Sequence, residues 1–227
     1  MTLPFRSALS TLTMGLMVGF ISAPAFVITA CAAADGGVAD PGDRLLDPSS
    51  STPGLAVGED APGGTLRDPA QQTVSLEDLY ADGPSVLVFY RGGWCPFCTR
   101  DLKDWETAIP EFDAAGANVI AVSLESAEHA VQTAEKNDLS MRVLVDETGE
   151  VVRGFRLGFA LDEGTQSRYR GYGIDLETSN SNGAWELPAP AVFVIDRDGV
   201  VRYSHADWDY RTRIGYEGAL EAVRDLG

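Results

Sequence analysis

From about residue 86 onward, short unbroken apolar runs alternate with stretches in which apolar residues recur three or four positions apart. The runs at 86–90, 117–124 and 141–145 predict buried strands. Leu102, Trp105 and Ile109 follow the first run at helical spacing, and a second amphipathic stretch follows the second run, at about 126–136. Strands alternating with helices imply parallel pairing around βαβ units. Upstream, residues 65–69 and 73–74 predict a short hairpin. Ser75 then caps a helix of one to two turns whose first turn carries Glu77 and Asp78. Pro110 predicts a kink or break near the end of the helix that starts at Pro96. A short helix is expected at 151–157, and after it the pattern dissolves into a polar, Gly- and Tyr-rich stretch, with at most a turn or two of helix near 163–170. Order returns with Leu187-Pro188-Ala189-Pro190, a strand at 191–195, the turn Asp196-Arg197-Asp198-Gly199, a strand at 200–204 and a last helix at about 215–226. The class is therefore α/β, a mixed central sheet flanked by helices, in one domain over about 58–227. Segment 158–188, too long for an idle loop and leading into Pro188 and Pro190, is expected to cover part of an active-site face.

The two ends of the pattern change the picture of where the domain works. Residues 1–30 carry one arginine, then an apolar run broken by Gly15, Gly19 and Pro24, which marks an export signal before it marks a membrane span; a retained anchor helix is the alternative. Cleavage is expected either at Ala23-Pro24-Ala25 or within Ile28-Thr29-Ala30-Cys31, which resembles the lipobox of bacterial lipoproteins and would make Cys31 the lipidated first residue. Acylation would also remove the odd thiol among three cysteines in an oxidising compartment. Residues 31–57 are mostly Ala, Asp, Gly, Pro and Ser and predict a flexible acidic tether to a membrane surface. With 34 acidic against 17 basic residues, a net charge of −17, nucleic acid is excluded as a partner.

The candidate chemistry lies in Phe89-Tyr90-Arg91-Gly92-Gly93-Trp94-Cys95-Pro96-Phe97-Cys98. Two glycines turn the chain out of a strand, and Pro96 suits the first position of a helix, which puts Cys95 at the helix mouth. Free N–H groups and the helix dipole there stabilise a thiolate, lowering its pKa below the free value of about 8.5. Cys98, one turn further, is placed to attack a mixed disulfide on Cys95, so Cys95 is expected to be the more exposed sulfur and the nucleophile, with Cys98 resolving. Arg91 or Arg100 would favour thiolate, against Asp101 and Asp104, and Trp94 would shield it. An inert disulfide or half of a zinc site are the other readings of the pair. His205 adds a third, copper delivery, because two thiolates and an imidazole suit copper.

These residues resemble the thioredoxin fold: a strand, a Trp-Cys-x-x-Cys helix, and later a Pro-x-x-Phe-x-Ile-Asp hairpin followed by a terminal helix. More closely, residues 90–98 together with 187–191 and Asp209-Tyr210-Arg211 resemble the peroxiredoxin-like branch of the alkyl hydroperoxide reductase and thiol-specific antioxidant family, over roughly residues 58–226. The resemblance implies a thiol oxidoreductase without cofactor or metal, taking electrons from a thiol reductant and passing them to a peroxide or a protein disulfide; the leader segment makes it an exported one. Two positions depart from a typical peroxiredoxin: Cys95 stands where a threonine is expected, with Cys98 in the peroxidatic place, and Pro190 replaces an arginine. Both run toward thioredoxin, in which the matching proline faces the disulfide, so Pro190, Trp94 and Arg91 are the expected substrate-positioning residues.

Overall fold

A computed structural model describes residues 44–212 and 215–227. The expected signal segment, Cys31 and the first part of the tether lie outside the described residues. Among the described residues no helix is long and apolar enough to cross a membrane.

The expected strands and helices form one mixed sheet and its flanking layers. The hairpin β1 (Thr65–Arg67) and β2 (Thr73–Ser75) leads into α1 (Leu76–Asp82), where Ser75 Oγ accepts from the Asp78 N–H as the cap. Strand β3 (Ser85–Phe89) is followed by α2 (Pro96–Ala114), β4 (Asn118–Ser123), α3 (Ala127–Asn137), β5 (Arg142–Val145) and α4 (Glu150–Gly154). β3, β4 and β5 pair in parallel, with Leu87 opposite Ile120 and Ile120 opposite Arg142. After β6 (Gly158–Ala160), α5 (Glu163–Gly171), α6 (Leu176–Ser179) and β7 (Glu186–Pro188) comes the hairpin β8 (Ala191–Ile195) and β9 (Val201–Ala206), then α7 (Glu217–Arg224). β8 joins β3 antiparallel, giving the order β2-β1-β5-β4-β3-β8-β9; β6 and β7 pair separately.

Every residue of β3 is buried, which is why it reads as an unbroken apolar run: side chains alternate between two cores. Val86 and Val88 join Leu102, Trp105, Phe112, Val194 and Leu220 on the face covered by α2 and α7. Leu87 and Phe89 join Leu76, Val152, Phe155 and Phe193 on the other.

Three expectations need correction. α2 runs four residues beyond Pro110 without ending. Pro110 lies on the exposed side, where the carbonyl it leaves unbonded can meet water, while Trp105 and Phe112 stack across it at 5.7 Å on the buried side. The tether does not extend to 57, since residues 46–57 lie along the domain. Leu46 N–H donates to Gly158 O at 2.8 Å, Gly54 N–H to Arg156 O at 2.9 Å, and Leu55 is buried in the second core. Composition could not show this, because the segment borrows its hydrogen-bond partners from remote strands. Finally, 158–188 holds β6, α5, α6 and β7. α5 buries no residue and α6 only Leu176, so there is no apolar period to read; Asp162 and Asp175 cap them instead.

Candidate functional site

The parallel strands β3 and β4 end side by side, and the loops leaving them build the site. Tyr90 N–H still bonds Val122 O at 3.0 Å; the chain then turns through Gly92, at φ 148°, and Cys95 N–H closes back on Gly92 O at 3.0 Å. Neither glycine admits a side chain. A Cβ on Gly92 would sit 2.3 Å from Trp94 Nε1, and one on Gly93 would sit 1.9 Å from Thr133 Oγ1. Cys95 is the N-cap residue of α2, in extended conformation, with Pro96 first in the helix, as the sequence implies.

Both cysteines are reduced and buried. Their burial reverses the expectation: Cys95 is 1% exposed and Cys98 6%. Cys95 shares the apolar cluster of Tyr90, Leu102 and Trp105, a tertiary effect that the helix-mouth argument does not contain. The Cys95 pKa moves in the expected direction, but its largest cause is the neighbouring thiol rather than the helix mouth. The Cys98 thiol donates to the Cys95 sulfur, and with the Cys98 N–H, the Arg91 charge and the Phe97 N–H this lowers the Cys95 pKa to about 6, against the opposing effect of burial. The same bond, burial and the neighbouring negative charge push Cys98 well above the ordinary thiol value. One sulfur is thus held as thiolate by the other held as thiol.

Arg91 is 3% exposed, and Arg100 is exposed; of the two, only Arg91 bears on the sulfurs. Its guanidinium carbon lies 4.0 Å from the ring centre of Tyr210, 5.1 Å from Trp94 and 5.8 Å from Tyr169, and its Nη2 donates to the Tyr169 hydroxyl. Trp94 meets Tyr169 edge-on at 5.6 Å, so α5 does lie over the turn that carries Cys95. Pro190 lines a small cleft with Tyr90, Phe97, Cys98, Asp101 and Tyr210. The five residues expected at the site, Arg91, Trp94, Cys95, Cys98 and Pro190, therefore come together. His205 does not join them as a ligand: it sits on β9 opposite Val192, and among the described residues no three His, Cys, Asp or Glu side chains form a metal-binding group. His129 is engaged at the start of α3, where its Nδ1 pairs with Ser126 Oγ at 2.9 Å.

Sequence reasoning missed Glu125. It is 2% exposed at the end of β4 and accepts from Tyr90 Oη at 2.9 Å, Gly93 N–H at 2.8 Å and Thr133 Oγ1 at 3.2 Å. The available signal was an acid just beyond the C-terminal end of an apolar parallel strand, where such folds place their sites. Burial first, and then the Glu125 charge, hold the Tyr90 phenol protonated far beyond its ordinary range. Glu125→Ala would strand three buried donors, each worth about 1–3 kcal/mol when unsatisfied. A loss of about 3 kcal/mol or more in denaturant unfolding is expected, together with slower alkylation of Cys95 as the Gly93 turn loosens. Unchanged unfolding would show that water replaces the carboxylate.

The profile of the AhpC/TSA family matches residues 57–204. The thiol-disulfide oxidoreductase ResA of Bacillus thuringiensis subsp. konkukian is 24% identical over 148 residues, 65% of this chain and 68% of that one. The chloroplastic peroxiredoxin Q of Oryza sativa subsp. japonica is 29% identical over 149 residues, 66% of this chain and 58% of that one. Among solved structures, the peroxidoxin BcpB of Mycobacterium tuberculosis superposes with a TM-score of 0.60 at 21% identity, over 75% of this chain and 97% of that one, a likeness of fold. With the family profile covering most of the described domain and the sheet order carrying a thioredoxin-like fold, the chain belongs to the AhpC/TSA family of thiol-dependent oxidoreductases.

Proposed function

We propose that the protein is an exported dithiol oxidoreductase that cycles Cys95 and Cys98 between dithiol and disulfide, held at a membrane surface by a lipid on Cys31. The observation that carries this reading is the pair of reduced, buried sulfurs at the mouth of α2, Cys95 at its N-cap and Cys98 one turn inside, an arrangement that lowers the Cys95 pKa to about 6 and raises that of Cys98. In the cycle the Cys95 thiolate attacks one sulfur of a disulfide; a sulfur–sulfur bond forms to Cys95 as the substrate bond breaks, and the first substrate thiolate leaves and takes a proton. Cys98, losing its proton, then attacks Cys95 Sγ and expels the second thiolate. Two electrons pass to the substrate, and an external thiol must restore the dithiol.

A peroxide is the second reading, favoured by the burial of both sulfurs, which suits a small oxidant. There Cys95 takes the terminal oxygen as the O–O bond breaks and an alcohol or water leaves; Cys98 then displaces hydroxide from the sulfenic acid, with water and the same disulfide as products. The raised pKa of Cys98 argues against that residue as the peroxidatic sulfur. For copper delivery, no third His, Cys, Asp or Glu joins the two sulfurs among the described residues.

The discriminating experiment compares, on the same reduced protein, the rate constant for hydrogen peroxide consumption with that for reduction of a small model disulfide. Disulfide reduction faster than peroxide consumption is the expected result. The reverse order establishes the peroxidase, and inactivity toward both overturns the proposal.

A further inference from the structure

We infer that Arg91 is the anion-binding floor of a substrate pocket, and that the pocket takes a small organic molecule through its carboxylate. The inference deepens the disulfide-exchange reading and rests on it for the substrate class: a low-molecular-weight disulfide bearing a carboxylate. Three observations carry it. The first is the state of Arg91 itself. A guanidinium that is 97% buried normally has a carboxylate partner, because an unpaired buried charge is costly. Among the described residues no carboxylate is paired with Arg91; its neighbours are three aromatic rings and the Tyr169 hydroxyl, and its charge is answered only in part by the Cys95 thiolate. Its Nε is buried without a hydrogen-bond partner, as is the indole Nε1 of Trp94 beside it. Unsatisfied buried donors are rare and call for a cause, and the Arg91 Nε belongs to a guanidinium that has no carboxylate partner and lines a cavity.

The second observation is the space. Arg91 lines a cavity of about 420 Å³ whose walls are Phe159, Leu161, Tyr169, Trp208 and Tyr210. That size falls in the range of small-molecule sites, which combine apolar walls with a few placed polar groups, here Arg91, Thr165 and two acids. The third is its place relative to the sulfurs. Arg91 stands four residues before Cys95 and its charge stabilises the thiolate, while Tyr210 borders both this pocket and the cleft that holds Cys98 and Pro190. A carboxylate seated on the guanidinium therefore brings a short molecule to the wall of the thiol cleft. Asp47 and Asp162 also line the pocket, each already accepting from its own neighbours, Ser49 and Thr165. They set a limit on the ligand: one carboxylate is accepted at Arg91, and a second must lie at the far end of the molecule, away from the two acids.

The test compares the disulfide of mercaptopropionate, which carries carboxylates, with the neutral disulfide of mercaptoethanol. A charge-assisted contact to Arg91 should make kcat/KM for the first at least about tenfold the higher. Any loss of Cys95 thiolate in Arg91→Gln slows both substrates alike, so the ratio reports the pocket alone; it should fall to about one. Phe159→Glu adds a charge to a pocket wall, and it should lower the ratio of the two kcat/KM values, whatever it does to either substrate alone. Binding is read separately by calorimetric titration of Cys95→Ser protein with adipate, a dicarboxylate without sulfur. Saturable binding that Arg91→Gln abolishes is expected. A wild-type ratio near one, or a ratio that neither substitution changes, overturns the proposal. If neither disulfide is turned over, the exchange reading has failed, and the titration decides the pocket: Arg91-dependent binding upholds it and absence of binding overturns it.

Discussion

Replacing Cys95 by serine is expected to lower turnover of a disulfide or a peroxide by a factor on the order of 10³ or more, whereas Cys98→Ser should complete the first step and accumulate the mixed disulfide. The difference follows from the direction of one hydrogen bond. Cys98 donates to Cys95, so at neutral pH the charge sits on Cys95 and the proton on Cys98. A hydroxyl at 98 can still donate, which keeps Cys95 ionised but removes the sulfur that would resolve the adduct. Cys98→Ala removes the donor as well, and with it the largest of the effects that lower the Cys95 pKa. First-step rates at neutral pH should therefore fall in the order wild type, Cys98→Ser, Cys98→Ala, with Cys95→Ser inactive. Mass spectrometry of the trapped adduct and the pre-steady-state rate measure both quantities. If Cys95→Ser forms a sulfenic acid with peroxide at an undiminished rate, Cys98 is the nucleophile and the peroxidase reading replaces the exchange reading.

That experiment also marks where the sequence stopped being legible. The parallel core could be read because β3 and β4 are buried on both faces and leave unbroken apolar runs, and because Ser75 and Ser126 are capping residues with local jobs. The turn and the helix start are likewise set by a few adjacent residues, whereas the proximity of Pro190 to Cys98 was legible only through the resemblance and is produced by the pairing of β3 with β8, Phe89 opposite Ala191. What was illegible is non-local. Glu125 reaches Gly93 across 32 residues, and Tyr169 reaches Arg91 across 78. Those contacts hold the turn and cage the arginine, yet each residue alone is an ordinary polar or aromatic side chain. α5 was unreadable for a related reason. With no buried residue it has no period, and its place over the site depends on Tyr169 meeting Trp94. The relative burial of the two sulfurs has the same origin, since a cap position predicts hydrogen bonding but not what packs over it.

Acidification should weaken the reduced protein while leaving the disulfide form nearly indifferent over the same range. The Cys95 pKa is depressed in the folded state, from the free value of about 8.5 to about 6. A depressed acid contributes stability that is fully present above the unfolded pKa and is lost as pH falls through the folded one. The window therefore runs from about pH 8.5 down to about pH 6, and its full size, at 1.36 kcal/mol per unit, is about 3 kcal/mol. Cys98 acts with the opposite sign. Its folded pKa is raised, so it costs nothing while the unfolded thiol stays protonated and begins to destabilise above about pH 8.5 as that thiol ionises. The difference in unfolding free energy between reduced and oxidised protein should thus rise from pH 6, reach its maximum near pH 8.5 and fall beyond it. Neither sulfur titrates in the disulfide, which serves as the reference and cancels the carboxylates shared by both forms. Alkylation of Cys95 by iodoacetamide should titrate with the same midpoint near 6, and Arg91→Gln should move that midpoint upward because it removes the cation that favours the thiolate. An alkylation midpoint above 8, or a reduced-minus-oxidised difference that is flat from pH 6 to pH 8.5, would show that the Cys98 thiol does not hold its partner ionised, and the assignment of Cys95 as nucleophile would go with it.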